Sequence, residues 1–196
     1  IGDGVIEVDL AGSSPAAPRG INCPLGYSQA YASFGIKVAV APHVPNNHAS
    51  LEAIRITAPS GLIVSAERPA PVTARHVVGQ ALPDLMLGCL AQAMPGQILA
   101  ESAGALWVLA ISGEDAGPEA RSFASLNVAL GGMGARPASD GLSTTAFPSG
   151  VGVVSVEVAE SVAPLIYERK EFAPDSGGAG KWRGGLGQEI RIRAAK

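Results

Sequence analysis

Near the start of the chain Ile6, Val8 and Leu10 alternate with Glu7 and Asp9. That is the period of a half-buried strand, and the Gly, Ser and Pro between Ala11 and Pro18 end it. From Pro24 the period lengthens. Tyr27, Ala30, Tyr31, Phe34 and Val38 recur at helical spacing, which predicts a helix buried on that face, capped by Asn22 or Cys23 with Pro24 in its first turn. Pro42 and Pro45 stop it. Ile54, Ile56 and Ala58 then alternate before a turn at Pro59-Ser60-Gly61, and Leu62 to Val64 follow as a predicted hairpin partner. Beyond the Pro-rich loop from Glu67 to Val72, a second helical stripe comprises Leu82, Leu85, Met86, Cys89, Leu90 and Ala93. Pro83 and Asp84 suit its first turn, and Pro95-Gly96 its stop.

The remainder reads as strands. Leu106 to Ser112, Phe123 to Leu130, Val151 to Val158, Leu165 to Phe172 and Gln188 to Arg193 are each bounded by Gly, Pro or Asp clusters. Two main helices in the first half, packed on a largely antiparallel or mixed sheet, and a strand-rich second half predict an α+β fold. The regular strand–helix alternation of a doubly wound parallel sheet is absent. No internal repeat is visible. The expected organisation is one domain, or one fragment of a longer subunit, over residues 1–196, with a subdivision near residue 100 as the alternative.

Composition supports folding. The 196 residues are 47% hydrophobic and 16% charged, with 25 Gly and 15 Pro, whereas disordered chains combine low hydrophobicity with high net charge. A formal net charge of −3 without a Lys/Arg run leaves no electrostatic footprint for nucleic acid or anionic membranes. No stretch reaches the roughly 18 apolar residues of a membrane helix. Ile1 to Val5 includes no Met, basic region or apolar run, so it reads as a cut inside a longer protein rather than a leader. Cys23 and Cys89 lack the spacing of a zinc or redox pair, and reduced thiols in a cytoplasmic protein are expected.

Several familiar chemistries are excluded. In the stretch from Asp175 to Trp182, Asp175 replaces the first Gly of a phosphate loop and Trp182 replaces its magnesium-binding Ser/Thr. Gly131-Gly132-Met133-Gly134 lacks the third Gly and following helix of a dinucleotide fingerprint. His43 and His48 have no converging ligand set. His76 has no visible partner, and no Gly-x-Ser-x-Gly elbow supports a serine triad.

A series of motifs is distinctive in its order: Asp9-Leu10-Ala11-Gly12-Ser13-Ser14-Pro15, Arg19-Gly20-Ile21-Asn22-Cys23-Pro24, Val44-Pro45-Asn46-Asn47 and Ala58-Pro59-Ser60-Gly61. They continue with Pro69 to His76, Gly131 to Pro137 with Asp140-Gly141, and Pro174 to Gly180 running into Arg183-Gly184-Gly185. Along essentially its whole length the chain resembles the hydantoinase B/oxoprolinase family, the B subunits of ATP-dependent N-methylhydantoinase and 5-oxoprolinase and their relatives among acetone and acetophenone carboxylases. It departs from the family at Ala49 and Glu52-Ala53, where many members have Gly and Arg-Pro. Leu106-Trp107 stands where oxoprolinase-like members have paired Asn, which moves the chain toward generic hydantoinase-B-like proteins.

The resemblance implies an internal to C-terminal fragment of a B subunit that works with an A-type ATP-binding subunit on a small cyclic amide or ketone. ATP and magnesium would belong to the partner, which would phosphorylate the unreactive oxygen. A divalent metal would sit in an N-terminal part outside this sequence, leaving no cofactor and no metal in the fragment, which is expected to be inactive alone. The leading expectation is a cyclic-amide hydrolase. A ketone carboxylase subunit and a non-catalytic scaffold or interface module are the alternatives. Candidate substrate-binding residues are polar groups on Gly-rich loops. Asn22 and Asn47 offer donor and acceptor to an amide edge, Arg19 and Arg136 suit a carboxylate or phosphate, and Asp140 and Asp175 could orient the arginines or act as bases. The catalytic residues themselves are not legible. The clustered glycines are expected to serve positive φ or close backbone approach.

Overall fold

A computed structural model of the chain describes residues 4–104, 106–114 and 121–195. The fold is α+β, in two compact units, Ile1–Leu99 and Ala100–Lys196. In the first unit β1 (Ile6–Asp9) pairs in parallel with β2 (Ile54–Thr57), Ile6 opposite Ile54 and Val8 opposite Ile56. Between them run α1 (Leu25–Val40) and the short α2 (His48–Glu52); α3 (His76–Gly79) and α4 (Ala81–Ala93) follow. The core gathers Leu10, Ala32, Ile36, Ile56, Val64, Leu82, Met86 and Leu90.

Both long helices form where the periodicity predicts, but each is turned relative to its predicted stripe. The buried positions of α1 are Ser28, Ala32, Gly35, Ile36 and Lys37, whereas Ala30 and Phe34 face outward. Small residues decide this. A Cβ on Gly35 would lie 2.7 Å from the Pro83 Cα and 3.2 Å from the Met86 Cβ, so the glycine is what lets α4 approach. In α4 the stripe is Leu82, Met86 and Leu90 with Pro83 and Leu87, while Leu85 and Cys89 are exposed. Neither Asn22 nor Cys23 caps α1: Pro24 is its N-cap, with no side-chain cap bond.

The predicted hairpin at 59–64 does not form. Gly61 (φ +83°) does turn the chain, but Leu62 then bridges Pro15, and the Ile63 N–H donates to the Ser14 carbonyl. The segment pairs with the loop after β1 because that loop offers unpaired backbone groups.

The second unit contains two antiparallel ribbons, β3 (Leu106–Glu114) with β4 (Ser122–Leu130) and β5 (Leu165–Phe172) with β6 (Gln188–Ala194). Tyr167 Oη donates to Asn127 Oδ1 at 2.7 Å, linking β5 to β4. The strand predicted at Val151–Val158 is overturned: Val156–Val162 is the helix α5, capped by Ser155, whose Oγ accepts from the Val158 N–H. The Ser cap and Glu157 in the first turn outweigh the β-propensity of the valines. Among the described residues no helix is long and apolar enough to cross a membrane.

Candidate functional site

In the second unit the chain between elements is glycine-dense, and its segments lie backbone against backbone. Met133 N–H donates to the Leu142 carbonyl, Gly185 N–H to Met133, Ala103 N–H to Gly132 and Thr145 N–H to Gly131. A Cβ on Gly132 would overlap the Gly185 carbonyl, and one on Gly185 would overlap that of Leu142. Close approach, not positive φ, is therefore the reason for glycine at these positions. The stacked segments wall a cleft of about 460 Å³ lined by 100–103, 131–135, 176, 178–180, 182, 184, 185 and 187, with Trp182, Met133 and Glu101 among its few larger side chains. Gly178 lines it differently. It has an ordinary φ, and nothing lies within 4 Å of the place a methyl group would take.

Four polar residues, Arg136, Asp140, Asp175 and Arg183, flank these segments without lining the cleft. Arg136 Nε donates to the Asp140 carbonyl at 2.9 Å, and Asp140 Oδ1 accepts from the Arg183 N–H at 2.7 Å. Arg183 Nη2 stands 3.7 Å from Asp175 Oδ1, in an exposed pair. Thus Arg136, Asp140 and Asp175 are joined through Arg183, a residue that its sequence context does not single out as a site residue. Exposure keeps the Arg183–Asp175 pair weak as a structural element and open to solvent. Asp175 itself adopts φ +55°, in the left-handed region that Asp tolerates better than most residues.

Arg19, Asn22 and Asn47 belong to the first unit. Asn22 is fully buried and committed to backbone: Oδ1 accepts from Ala17 N–H at 2.7 Å, and Nδ2 donates to the carbonyls of Ala17, Arg19 and Pro71 at 2.8, 3.0 and 2.9 Å. The Arg19 side chain is exposed. Asn47 is the N-cap of α2: its Oδ1 accepts from the Ser50 N–H at 2.9 Å, and Ser50 Oγ accepts from the Asn47 N–H in return. Asn22 thus meets Arg19 only at its backbone carbonyl, and Asn47 is bonded to Ser50.

The periodicity passes over Lys37. Its side chain is buried, and Nζ donates to Pro45 O at 2.7 Å, Asn46 Oδ1 at 2.8 Å and Ser50 Oγ at 2.9 Å. A lone cation inside an apolar helical run, followed by an Asn-rich loop, is the sequence signal that could have found it. Cys23 is buried with Sγ donating to the Arg75 carbonyl at 3.2 Å, and burial pushes its thiol pKa up; both cysteines are free. Burial likewise raises the Tyr27 phenol, which stacks on Tyr31 with ring centroids 4.7 Å apart. Among the described residues no group of three or more His, Cys, Asp or Glu side chains is placed to hold a metal.

The architecture recurs in solved structures. The chain superposes on nucleotide-free acetone carboxylase with a TM-score of 0.82 at 20% identity, covering 98% of this chain and 26% of that one. At that identity the likeness is one of fold. The hydantoinase B/oxoprolinase family model matches residues 1–196, and the chain belongs to that family. It is 31% identical to the B subunit of a putative D-/L-hydantoinase of Pseudomonas sp. strain NS671, covering 93% of this chain and 31% of the relative. The beta subunit of caprolactamase from Pseudomonas jessenii is 28% identical, with 95% and 33% covered. An uncharacterized Methanocaldococcus jannaschii protein is 32% identical, with 95% and 32% covered. The chain spans about a third of the length of these curated relatives.

Proposed function

We propose that the chain is part of the B subunit of an ATP-dependent cyclic-amide hydrolase, working with an ATP-binding A-type subunit. The observation that carries this reading is the family match over residues 1–196, together with relatives whose names specify a hydantoinase subunit and a caprolactamase subunit. A ring amide is a poor electrophile. Phosphoryl transfer from ATP to its oxygen releases ADP and activates the ring carbon; one water adds there and the C–N bond breaks, freeing the amine and leaving an acyl phosphate, and a second water releases phosphate and leaves the carboxylic acid.

Within this chain the glycine-walled cleft and the Arg136–Asp140–Arg183–Asp175 chain are the features that suit a small polar substrate. Backbone walls present amide edges, and guanidinium groups bind carboxylate or phosphate oxygens. Asp140 fixes the backbone of Arg183 and Asp175 faces its guanidinium, so both acids act on the position of one cation.

The test is ATP turnover by the full-length subunit with its A-type partner on hydantoins, 5-oxoproline and caprolactam. Substrate-dependent ADP release with ring-opened product supports the reading, and none on any of these amides overturns it. The acetone carboxylase fold favours one second reading, carboxylation of a ketone, which bicarbonate-dependent carboxylate formation would distinguish.

A further inference from the structure

The glycine-walled cleft of the second unit holds polar groups that its own packing leaves over. Along part of the lining the backbone donors are spent: Met133 N–H donates to the Leu142 carbonyl, Gly134 N–H to Ser102 Oγ and Gly185 N–H to the Met133 carbonyl. The loop at 178–182 differs. Among the described residues the backbone N–H groups of Gly178, Ala179, Gly180 and Trp182 meet no acceptor, and all four residues line the cleft. Free donors on one short loop suit an incoming oxygen, whether the carbonyl of a neutral ligand or an anion.

The side chains decide between those two. Glu101 is the one ionisable side chain in the lining, and among the described residues its carboxylate has no ion pair or hydrogen bond. Ser102 and Ser176 are occupied with loop contacts: Ser102 Oγ accepts from Gly134 N–H, and Ser176 Oγ donates to the Ala173 carbonyl and accepts from Gly187 N–H. The neighbouring cations lie outside the lining and face elsewhere. Lys181 Nζ stands 6.0 Å from the centre of the Trp182 ring, Arg183 faces Asp175, and Arg136 Nε is bonded to the Asp140 carbonyl. An ionised carboxylate accepts hydrogen bonds and donates none. A ligand that places an N–H beside a C=O therefore uses both Glu101 and the loop donors, whereas one that carries a carboxylate sets a like charge near Glu101 with no lining cation to offset it. Trp182, 38% exposed, adds a flat surface suited to a planar ring.

We propose that this cleft binds an uncharged cyclic amide by its N–H/C=O edge, the carbonyl oxygen on the backbone N–H groups of 178–182 and the ring N–H on the Glu101 carboxylate, and that Glu101 turns away ring amides bearing a carboxylate. The proposal deepens the cyclic-amide reading and rests on it for the class of substrate. It makes Glu101 a specificity-determining residue.

Two probes isolate the charge: 2-pyrrolidinone and 5-oxoproline are the same ring without and with a carboxylate. The full-length B subunit, with its A-type partner and a non-hydrolysable ATP analogue, is titrated with each and followed by ligand-observed NMR. 2-Pyrrolidinone should bind about tenfold more tightly than 5-oxoproline, or better. Glu101→Gln keeps an acceptor oxygen and removes the charge at an exposed position, so it should abolish most of that preference at an unchanged melting temperature. No binding of 2-pyrrolidinone, equal affinities, a preference for 5-oxoproline, or an unchanged preference in Glu101→Gln each overturns the proposal.

Gly178→Leu locates the ligand. Nothing lies within 4 Å of the position its Cβ would take, so the melting temperature should hold while the larger side chain enters the cleft, and affinity for 2-pyrrolidinone should fall about tenfold or more. Unchanged affinity in the folded variant puts the ligand elsewhere and overturns the proposal. The expected preference and its loss in Glu101→Gln, found in a pair that releases no ADP on any cyclic amide, would support the cleft as the binding site and overturn the hydrolase reading instead.

Discussion

Replacing Asn22 separates a structural role from a substrate-binding one. Its side chain satisfies the Ala17 N–H and directs two amide hydrogens at the carbonyls of Ala17, Arg19 and Pro71. Asn22→Ala removes one accepted bond and the bonding of two amide hydrogens, and at about 1 kcal/mol net for each the loss is about 3 kcal/mol. That is a large part of the roughly 5–15 kcal/mol by which domains are stable. With a urea slope of about 1–3 kcal/mol/M, the unfolding midpoint should fall by about 1–3 M. Far-ultraviolet circular dichroism, dominated by the helices of the first unit, is the readout.

Asn22→Asp adds a sign. A carboxylate there would keep the Ala17 contact but face carbonyl oxygens in a fully buried site, which raises its folded pKa above the unfolded value near 3.9. A group with a raised folded pKa contributes its stability below the unfolded pKa and loses it as pH rises through the folded one. Asn22→Asp should therefore gain stability relative to Asn22→Ala as pH falls toward 4. If Asn22→Ala unfolds at the wild-type urea concentration, or the two variants track each other at every pH, the structural role is refuted.

The glycine cleft gives a contrast between neighbours. Gly132→Ala and Gly185→Ala should each cost more than about 3 kcal/mol because backbone, not a flexible side chain, blocks the new methyl, read by fluorescence of Trp107 and Trp182 in the same unit. Gly178→Ala should leave that transition within about 0.5 kcal/mol, so any loss of substrate-dependent ATP turnover by the full-length pair would report access to the cleft. Thiol titration of the native chain should give one fast group, exposed Cys89, and one slow group, buried Cys23, whose raised pKa keeps it protonated under mildly alkaline conditions; equal rates would contradict the burial. At alkaline pH the raised Tyr27 phenol means the unfolded state loses its proton first. Stability should then decline above pH of about 10, the ordinary phenol range, and Tyr27→Phe should flatten that decline.

Local periodicity located β1, α1, β2, α4, β3, β4, β5 and β6, because each is a run of apolar residues bounded by turn chemistry. It misjudged which way the helices face. Phe34 outranks Gly35 on any hydrophobic scale, yet Gly35 lies in the contact with Pro83 and Met86, because helix approach depends on what a residue lacks. It missed α2 and misread α5, where one capping side chain, Asn47 or Ser155, decides the conformation. The candidate site was legible as loops and not as geometry. Arg136, Asp140 and Asp175 meet through Arg183, across a sequence separation that no local pattern reports.

The residues that carry the family resemblance are mostly engaged in holding loops to one another. Asn22 is consumed by three loop carbonyls and an N–H, Asn47 by the first turn of α2, and Gly132 and Gly185 by backbone stacking. A motif built this way encodes loop shape, and shape can be shared by proteins acting on different substrates. Under the proposed function, specificity would then come from side chains that the loops hold without consuming. In the second unit these are the guanidinium ends of Arg136 and Arg183 and the Asp175 carboxylate, all exposed. Replacing them should alter turnover with little change in stability, the reverse of the pattern expected at Asn22 and Gly132.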